Sequence, residues 1–194
     1  MVGVVLCGGQ STRMASDKGL LTTKENRWAQ IAADKLKTLG VPIAISINKS
    51  QVRDYSSIFP GKQLVIDNEG LTINGPLRGL LSVHLQFPGE DLMTLACDMP
   101  LMETDLLIKL TEQSYKNFSA NSFVYTHDGE PEPLCGIYRS QGLDHIMNLY
   151  RSNQLPKFSM KYVLEQINTY NIVIPENKKQ CFQNFNTHAD LKGL

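Results

Sequence analysis

The sequence predicts an α/β fold built around a mainly parallel sheet. Short runs of β-branched and aliphatic residues alternate with segments whose apolar residues recur at helical spacing. Turn residues separate these segments, and no internal repeat or low-complexity linker interrupts them. A length of 194 residues suits one sizeable core. We therefore expect a single domain over residues 1–194.

The first predicted strand, residues 2–5, leads into a glycine-rich turn. Gly8-Gly9 follow it, and then come hydroxyl and basic side chains. Glycines let the main chain approach a ligand closely, while Arg13 and Lys18 supply positive charge. Residues 6–21 are therefore a candidate polyphosphate site. The alternative is an ordinary strand-to-helix turn with solvated cations.

Two known phosphate-binding patterns do not fit this turn. The P-loop needs Gly-Lys followed by Ser or Thr, whereas Asp17 precedes Lys18 and Gly19 follows it. The dinucleotide-binding fingerprint needs three spaced glycines, which residues 8–13 lack.

The next strands bring further polar residues toward the turn. Apolar residues between 28 and 39 predict a helix that Gly40 ends. Residues 42–48 form a nearly continuous apolar strand ending in Asn48, and residues 63–66 form a third strand ahead of Asp67. Because βαβ units are right-handed and parallel, these residues should meet at the carboxyl edge of the sheet.

The fourth strand, residues 92–97, places one more carboxylate at that edge. It ends in Asp98, and Pro100 prevents the strand from continuing. The other predicted elements are a short helix within 51–59, a helix from Pro76 to His84, a helix beyond Thr104, strands at 123–127 and 134–138 around Asp128-Gly129, helices at 143–150 and 158–164, and a strand at 172–174.

Composition limits the classes of partner. Lysine plus arginine and aspartate plus glutamate each number 19, which argues against a nucleic-acid partner. No apolar run reaches the length of a membrane span and no signal peptide is evident, so we expect a cytoplasmic protein that does not bind membranes. The cysteines are far apart and form no Cys-x-x-Cys pair, which argues for reduced thiols and against zinc. They are Cys7, Cys97, Cys135 and Cys181.

Residues 6–21 resemble the signature loop of the molybdenum cofactor guanylyltransferases, a family of the nucleotidyltransferase superfamily. The shared pattern is Leu-x-Gly-Gly-x-x-x-Arg-Met-x-x-x-Lys-x-Leu-Leu. Later segments resemble the family in order and spacing: Ile66-Asp67, Asn74-Gly75-Pro76-Leu77-Arg78-Gly79-Leu80, Ala96-Cys97-Asp98-Met99-Pro100, Glu132-Pro133-Leu134 and Asn184-Phe185-Asn186-Thr187. The resemblance implies a three-layer α/β/α Rossmann-like nucleotidyltransferase fold. It also implies transfer of GMP from GTP to the phosphate of molybdenum-molybdopterin, with release of pyrophosphate.

The resemblance also implies roles for individual residues. Asp98 would bind Mg²⁺, and Arg13 and Lys18 would bind the triphosphate as the other catalytic residues. The nucleotide-binding positions that it implies are Leu6, Cys7, Gly8, Lys18, Asn48, Asp67 and Asp98, the first three through the main chain. Simpler alternatives remain, because aspartate can cap a helix such as the one near Thr104, and Asn48 and Asp67 suit turns.

The base and the acceptor are less well determined. Gly8-Gly9 and Gly75-Pro76-Leu77 favour GTP by analogy with the family. A relative that uses CTP or a sugar-phosphate acceptor, or a non-catalytic nucleotide-binding module, are the alternatives. The pterin would lie near residues 132–134 and 184–187, and the candidates to bind its phosphate are Arg139, Arg151, Lys157 and Lys161. Molybdoenzymes or their chaperones are possible partners.

Two departures from the family pattern concern the geometry of the site. Ala15 follows Arg13-Met14 where glycine is usual, and His188 follows Asn186-Thr187 where proline is common. Neither changes Lys18 or Asp98. They affect the expected shape of the loop and the choice of acceptor.

Overall fold

A computed structural model describes residues 1–8, 17–23 and 26–185. Its strands are β1 (Val2–Leu6), β2 (Thr22–Thr23), β3 (Asn26–Arg27), β4 (Ile43–Ile47), β5 (Leu64–Ile66), β6 (Leu92–Ala96), β7 (Ser122–His127), β8 (Glu130–Tyr138) and β9 (Thr169–Val173). Its α-helices are α1 (Trp28–Lys37), α2 (Val52–Tyr55), α3 (Pro76–Gln86), α4 (Thr104–Lys116), α5 (Ser140–Arg151) and α6 (Met160–Gln166).

The main sheet has the strand order β5-β4-β1-β6-β8-β7-β9. Strand β8 runs antiparallel to both of its neighbours, and the other pairings in this sheet are parallel. The mainly parallel sheet predicted from the sequence is confirmed. Strands β2 and β3 form a separate two-stranded ribbon.

Helices cover both faces of the sheet. On one face α1, α2 and α4 contribute buried side chains such as Leu36 and Leu107 to a core that also includes Val5. On the other face α3, α5 and α6 contribute Leu80 and Leu143 to a second core. Strands buried on both faces are continuously apolar for this reason. The structure confirms the three-layer α/β/α architecture.

The order of the parallel strands positions the candidate site. β4 and β5 lie on one side of β1 and β6 lies on the other, so the strand order reverses at β1. In open α/β sheets, ligands bind outside the carboxyl ends of the strands at such a reversal. The residues after β5, β4, β1 and β6 therefore come together at one edge.

Glycines at the predicted turns have the expected conformations. Gly40 follows α1 with a φ of 72°, and Gly75 precedes Pro76, the first residue of α3, with a φ of 80°. Asp128 and Gly129 both have positive φ, which matches a tight hairpin turn between β7 and β8. The predicted end of the helix before Gly40, the predicted helix start at Pro76 and the predicted hairpin are confirmed.

Several predicted boundaries differ from the structure, including the following three. The helix expected within 51–59 is limited to Val52–Tyr55, after a 3₁₀ turn over Lys49–Gln51. Strand β8 begins at Glu130 rather than at 134, because two prolines obscure its pattern. Strand β9 begins at Thr169 rather than at 172, since an edge strand exposes side chains that an apolar run does not include.

Within the described residues, no helix combines the length and the apolar character that crossing a membrane requires.

Candidate functional site

Two adjoining cavities open at the carboxyl edge of β5, β4, β1 and β6. The larger has a volume of about 610 Å³, and its lining includes Asn48, Asp67 and Arg78. The smaller has a volume of about 190 Å³, and its lining includes Lys18 and Asp98. Gly8 lines both cavities. The cleft is thus large enough for a small ligand that extends from one cavity into the other.

Lys18 and Asp98 meet in the smaller cavity. Lys18 Nζ donates a hydrogen bond to Asp98 Oδ2 at 2.8 Å, and both side chains are largely buried. Asp98 does not cap the helix that follows, because the residue at the N-cap of α4 is Glu103. The structure therefore brings together the cation and the carboxylate that the sequence singles out, although 80 positions separate them.

The end of β1 contributes main chain to the smaller cavity. Leu6, Cys7 and Gly8 line it, together with Leu134 from β8. The N–H groups of Cys7 and Gly8 both donate to Ser46 O, at 3.0 and 3.1 Å. These two donors extend the pairing of β1 with β4, so they do not point freely toward a ligand.

Gly8 keeps the two cavities connected. A Cβ atom at this position would lie 3.5 Å from Asp67 Oδ2. A larger side chain would therefore fill the passage between Asp67 and the smaller cavity. A Cβ atom alone would make only an ordinary van der Waals contact there.

Asn48 has a structural role as well as a place in the larger cavity. Its Oδ1 accepts hydrogen bonds from Ser50 N at 3.0 Å and Gln51 N at 3.2 Å, and so caps the 3₁₀ turn after β4. The alternative interpretation of Asn48, as a residue that stabilises a turn, is thus confirmed. Its position in the cavity lining leaves the binding prediction standing beside that role.

Asp67 presents a buried carboxylate to the larger cavity. Burial raises the pKa of this carboxyl group, and nearby Arg78 opposes that rise. Its Oδ1 is buried and has no hydrogen-bond partner among the described residues. Native proteins rarely leave a buried acceptor without a donor, so this oxygen suits a donor on a ligand.

The carboxylate of Asp98 fits a divalent cation that arrives with a phosphate ligand. Among the described residues, no group of three or more His, Cys, Asp or Glu side chains could hold a metal. Magnesium is typically bound by one or two carboxylates plus substrate phosphates, with waters completing the octahedron. A single carboxylate beside an ammonium group matches that mode of binding.

Several predicted positions lie outside the described residues. Arg13 belongs to this group, as do Gly9, Asn186 and Thr187. The described chain ends with Phe185, whose N–H donates to Asp98 O at 3.1 Å. The C-terminal segment therefore does reach the site up to that residue.

Arg139 is not placed to bind the phosphate of the pterin substrate. It follows Tyr138, which pairs with Leu92 at the start of β6, and so lies at the edge opposite Asp98. Its guanidinium donates to Ser114 O and lies over the ring of Phe123. Lys157 lies over the ring of Tyr162, and Lys161 forms an ion pair with Glu130.

The sequence reasoning assigned no role to Asp17 and Arg78, which line the cleft, or to Gln51, which donates a hydrogen bond to Asp17. Asp17 lines the smaller cavity, and Arg78 lines the larger one while donating two hydrogen bonds to Asn68 O. Gln51 carried a signal, because Asn48-x-x-Gln51 has the spacing of a capping box. Two of the three hydrogen bonds that Asp17 accepts come from residues distant in sequence, which a local pattern does not reveal.

Comparison with known proteins identifies the class. Residues 3–169 match the family model described as the MobA-like NTP transferase domain. The three-layer fold, with a polar cleft at the carboxyl edge of its sheet, agrees with that match. The protein is therefore an enzyme of the nucleotidyltransferase class.

Two curated relatives narrow the class to a family. A protein of a Geobacillus species, named a probable molybdenum cofactor guanylyltransferase, is 31% identical over 152 residues, covering 78% of this chain and 76% of the relative. One of Methanothermobacter thermautotrophicus with the same name is 29% identical over 192 residues, covering 97% and 95%. The chain belongs to the molybdenum cofactor guanylyltransferase family, as its motifs predicted.

A solved structure agrees with the fold. Molybdopterin-guanine dinucleotide biosynthesis protein A from Archaeoglobus fulgidus matches with a TM-score of 0.78 and 20% identity. The match covers 100% of this chain and 96% of the other.

Proposed function

We propose that this enzyme transfers GMP from GTP to the phosphate of molybdenum-molybdopterin, forms molybdopterin guanine dinucleotide and releases pyrophosphate. The family supports this reaction, and one feature of the structure carries it. That feature is the 2.8 Å contact between Lys18 Nζ and Asp98 Oδ2 at the carboxyl edge of the sheet. It joins the cation and the carboxylate that nucleotidyl transfer needs.

The nucleoside of GTP occupies the larger cavity in this proposal. Asp67 offers a buried carboxylate oxygen that accepts hydrogen bonds from N–H or O–H groups of the nucleoside. Guanine carries such donors on its N1 and N2 atoms, and ribose carries them on its hydroxyls. Gly8 lets the phosphates continue into the smaller cavity, where Lys18 lies.

Lys18 neutralises phosphate charge, and Asp98 holds Mg²⁺. When bound, the metal neutralises charge on the phosphate oxygens and orients the triphosphate. Lys18 and Asp98 neutralise each other while the nucleotide is absent. Nucleotide binding would replace this contact, because the Lys18 ammonium would donate to phosphate oxygens and the Asp98 carboxylate would be left to hold the metal.

The chemistry asks little of the protein beyond positioning and charge. An oxygen of the acceptor phosphate attacks the α-phosphorus of GTP, and the bond to the pyrophosphate oxygen breaks with its electron pair. A phosphate monoester has a second pKa of about 6, so its oxygen is already ionised at neutral pH. A general base is therefore unnecessary, and Lys18 assists by stabilising negative charge on the phosphates.

The acceptor enters the smaller cavity past Leu134, which forms part of its wall. We place the reaction in the cytoplasm, where the four free and buried cysteines would stay reduced. The product then passes to molybdoenzymes or their chaperones.

An assay with purified components tests the reaction. The protein is incubated with GTP, Mg²⁺ and molybdenum-loaded molybdopterin, and dinucleotide and pyrophosphate are both measured. We expect the two products in equal amounts, with far less product from CTP or ATP. Absence of the dinucleotide contradicts the proposal, and preference for CTP replaces it with cytidylyl transfer.

A further inference from the structure

Asp17 lies directly before Lys18 and accepts three hydrogen bonds. Gly19 N donates to its Oδ1 at 2.9 Å, Tyr55 Oη donates to the same oxygen at 3.0 Å, and Gln51 Nε2 donates to Oδ2. The first of these caps the 3₁₀ turn over Lys18–Leu20. Asp17 therefore fixes the backbone that carries the Lys18 side chain.

Gln51 connects Asp17 to both sides of the cleft. Its Nε2 also donates to Cys7 O at 3.1 Å, and its Oε1 accepts from Asn48 N at 2.8 Å. The side chain is 8% exposed. One buried amide thus joins the ends of β1 and β4 to the segment that holds Lys18.

Tyr55 holds Asp17 from the side of the hydrophobic core. Its ring is fully buried and stacks on Phe59. Burial, with smaller effects from nearby Cys7, Cys97 and Asp17, raises the pKa of Tyr55 far above its usual range, so the hydroxyl remains a donor. A Cβ atom at Gly19 would lie 2.1 Å from this hydroxyl, which leaves room only for glycine.

We propose that Asp17, held in place by Gln51 and Tyr55, is the positioning residue that aims Lys18 at the phosphates of the bound nucleotide. This inference rests on the proposed function and deepens it. Although Asp17 also lines the smaller cavity, both of its carboxylate oxygens are engaged by protein donors, so it acts through Lys18 and through the turn that carries Lys18. Its contribution to binding should therefore vanish when the Lys18 ammonium is removed.

A double-mutant cycle tests this dependence. Titration calorimetry measures the affinity for MgGTP in the unchanged protein, Asp17→Asn, Lys18→Gln and the double variant. Asp17→Asn puts an amide against the donor of Gln51, and we expect MgGTP affinity to fall about tenfold or more. In the Lys18→Gln background the same change should cost less than about threefold, because coupled residues do not contribute additively.

Two further variants make the test robust. Tyr55→Phe removes one of the three hydrogen bonds and keeps the buried ring, so it carries the test if Asp17→Asn does not fold. We expect a loss of about threefold that again depends on Lys18. Asp34→Asn is the matched control, because Asp34 is an exposed carboxylate on α1 away from the cleft, and MgGTP affinity should stay unchanged.

The outcomes separate this inference from the proposed function. Equal losses with and without the Lys18 ammonium, or no loss at all, overturn the positioning role while leaving guanylyl transfer intact. Failure of the unchanged protein to bind MgGTP overturns both.

Discussion

At the scale of single residues, charge pairing and burial at the cleft decide what the site can do. Lys18 and Asp98 form an ion pair whose side chains are 22% and 17% exposed. Ion pairing offsets the unfavourable partial burial of both charged groups. Their pairing holds both charged groups at the cleft, where we propose that a nucleotide and a metal replace it.

Removing either charge of this pair should impair catalysis. We expect Asp98→Asn and Lys18→Gln each to lower kcat/KM for dinucleotide formation by about 10²-fold or more, as for loss of a group that stabilises transition-state charge. Steady-state assays with saturating Mg²⁺ measure this. Asp54→Asn, which changes an exposed carboxylate on α2, should leave the rate unchanged. Rates near that of the unchanged protein in Asp98→Asn would remove Asp98 from the mechanism.

Asp67 should show a trade between stability and binding. Burial raises its pKa in the folded protein above the unfolded value. Between those two values the folded state holds more protons, so the free energy of unfolding falls as pH rises through that window. At neutral pH the ionised carboxylate of Asp67 therefore lowers the stability of the folded protein, and the proposed binding of the nucleoside gives this carboxylate a function.

We accordingly expect Asp67→Asn to raise the melting temperature at pH 7 while weakening GTP binding. A gain of roughly 0.5–2 kcal/mol is typical of a single stabilising substitution. Near pH 4 the gain should shrink, since about half of the unfolded chains then carry a protonated Asp67 as well. Thermal melts at both pH values and GTP titrations measure the two effects. A lower melting temperature of Asp67→Asn at pH 7 would contradict the inference that the ionised Asp67 carboxylate destabilises the folded protein.

At the scale of secondary-structure elements, close packing of α3 on β4 shapes the larger cavity. Gly79 in α3 faces Ser46 in β4, and a Cβ atom at Gly79 would lie 2.4 Å from Ser46 Oγ. That oxygen is buried and has no hydrogen-bond partner among the described residues. Alanine would normally favour a helix over glycine, but this contact is too short to accommodate it.

Gly79→Ala should therefore destabilise the protein, by about 1–3 kcal/mol, as overpacked cores do. Ser46→Ala removes the nearest atom and a buried hydroxyl, so it should be neutral or stabilising and should reduce the cost of Gly79→Ala. Urea denaturation of the single and double variants measures both effects. Gly61→Ala is a suitable control, because no atom lies within 4 Å of a Cβ there. Strictly additive costs would show that Ser46 is not the obstacle.

At the scale of the whole molecule, one edge of the main sheet brings Gly8, Asn48, Asp67 and Asp98 together, and the Lys18 turn and α3 add the remaining walls of the candidate site. Strands β5, β4, β1 and β6 are consecutive in that sheet, and each ends beside the cleft. A single domain over residues 1–194 remains a prediction. It can be tested because Trp28 is the sole tryptophan and is fully buried in α1.

If the chain is one domain, the fluorescence of Trp28 and the far-ultraviolet circular dichroism should change together on unfolding. Coincident transitions by different probes indicate one cooperative unit. Urea titration with both probes makes the comparison. Separate midpoints would instead indicate that the region around α1 unfolds independently of the rest.

The sequence predicted the parallel core better than the periphery, and the reasons are physical. Strands such as β1 and β4 are buried on both faces and read as apolar runs, whereas the edge strand β9 does not. Lys18 and Asp98 were predictable because each lies in a motif. The bonds of Gln51 to Cys7 and Asp17 span 44 and 34 positions, so they depend on a topology that local patterns do not contain.

The most direct test of the account is a crystal structure with a non-hydrolysable GTP analogue and Mn²⁺, whose anomalous scattering locates the metal. We predict the metal on the Asp98 carboxylate, Lys18 Nζ within hydrogen-bond distance of a phosphate oxygen, and the base in the cavity beside Asp67. Phosphates bound away from Lys18, or a metal without contact to Asp98, would contradict the central claim.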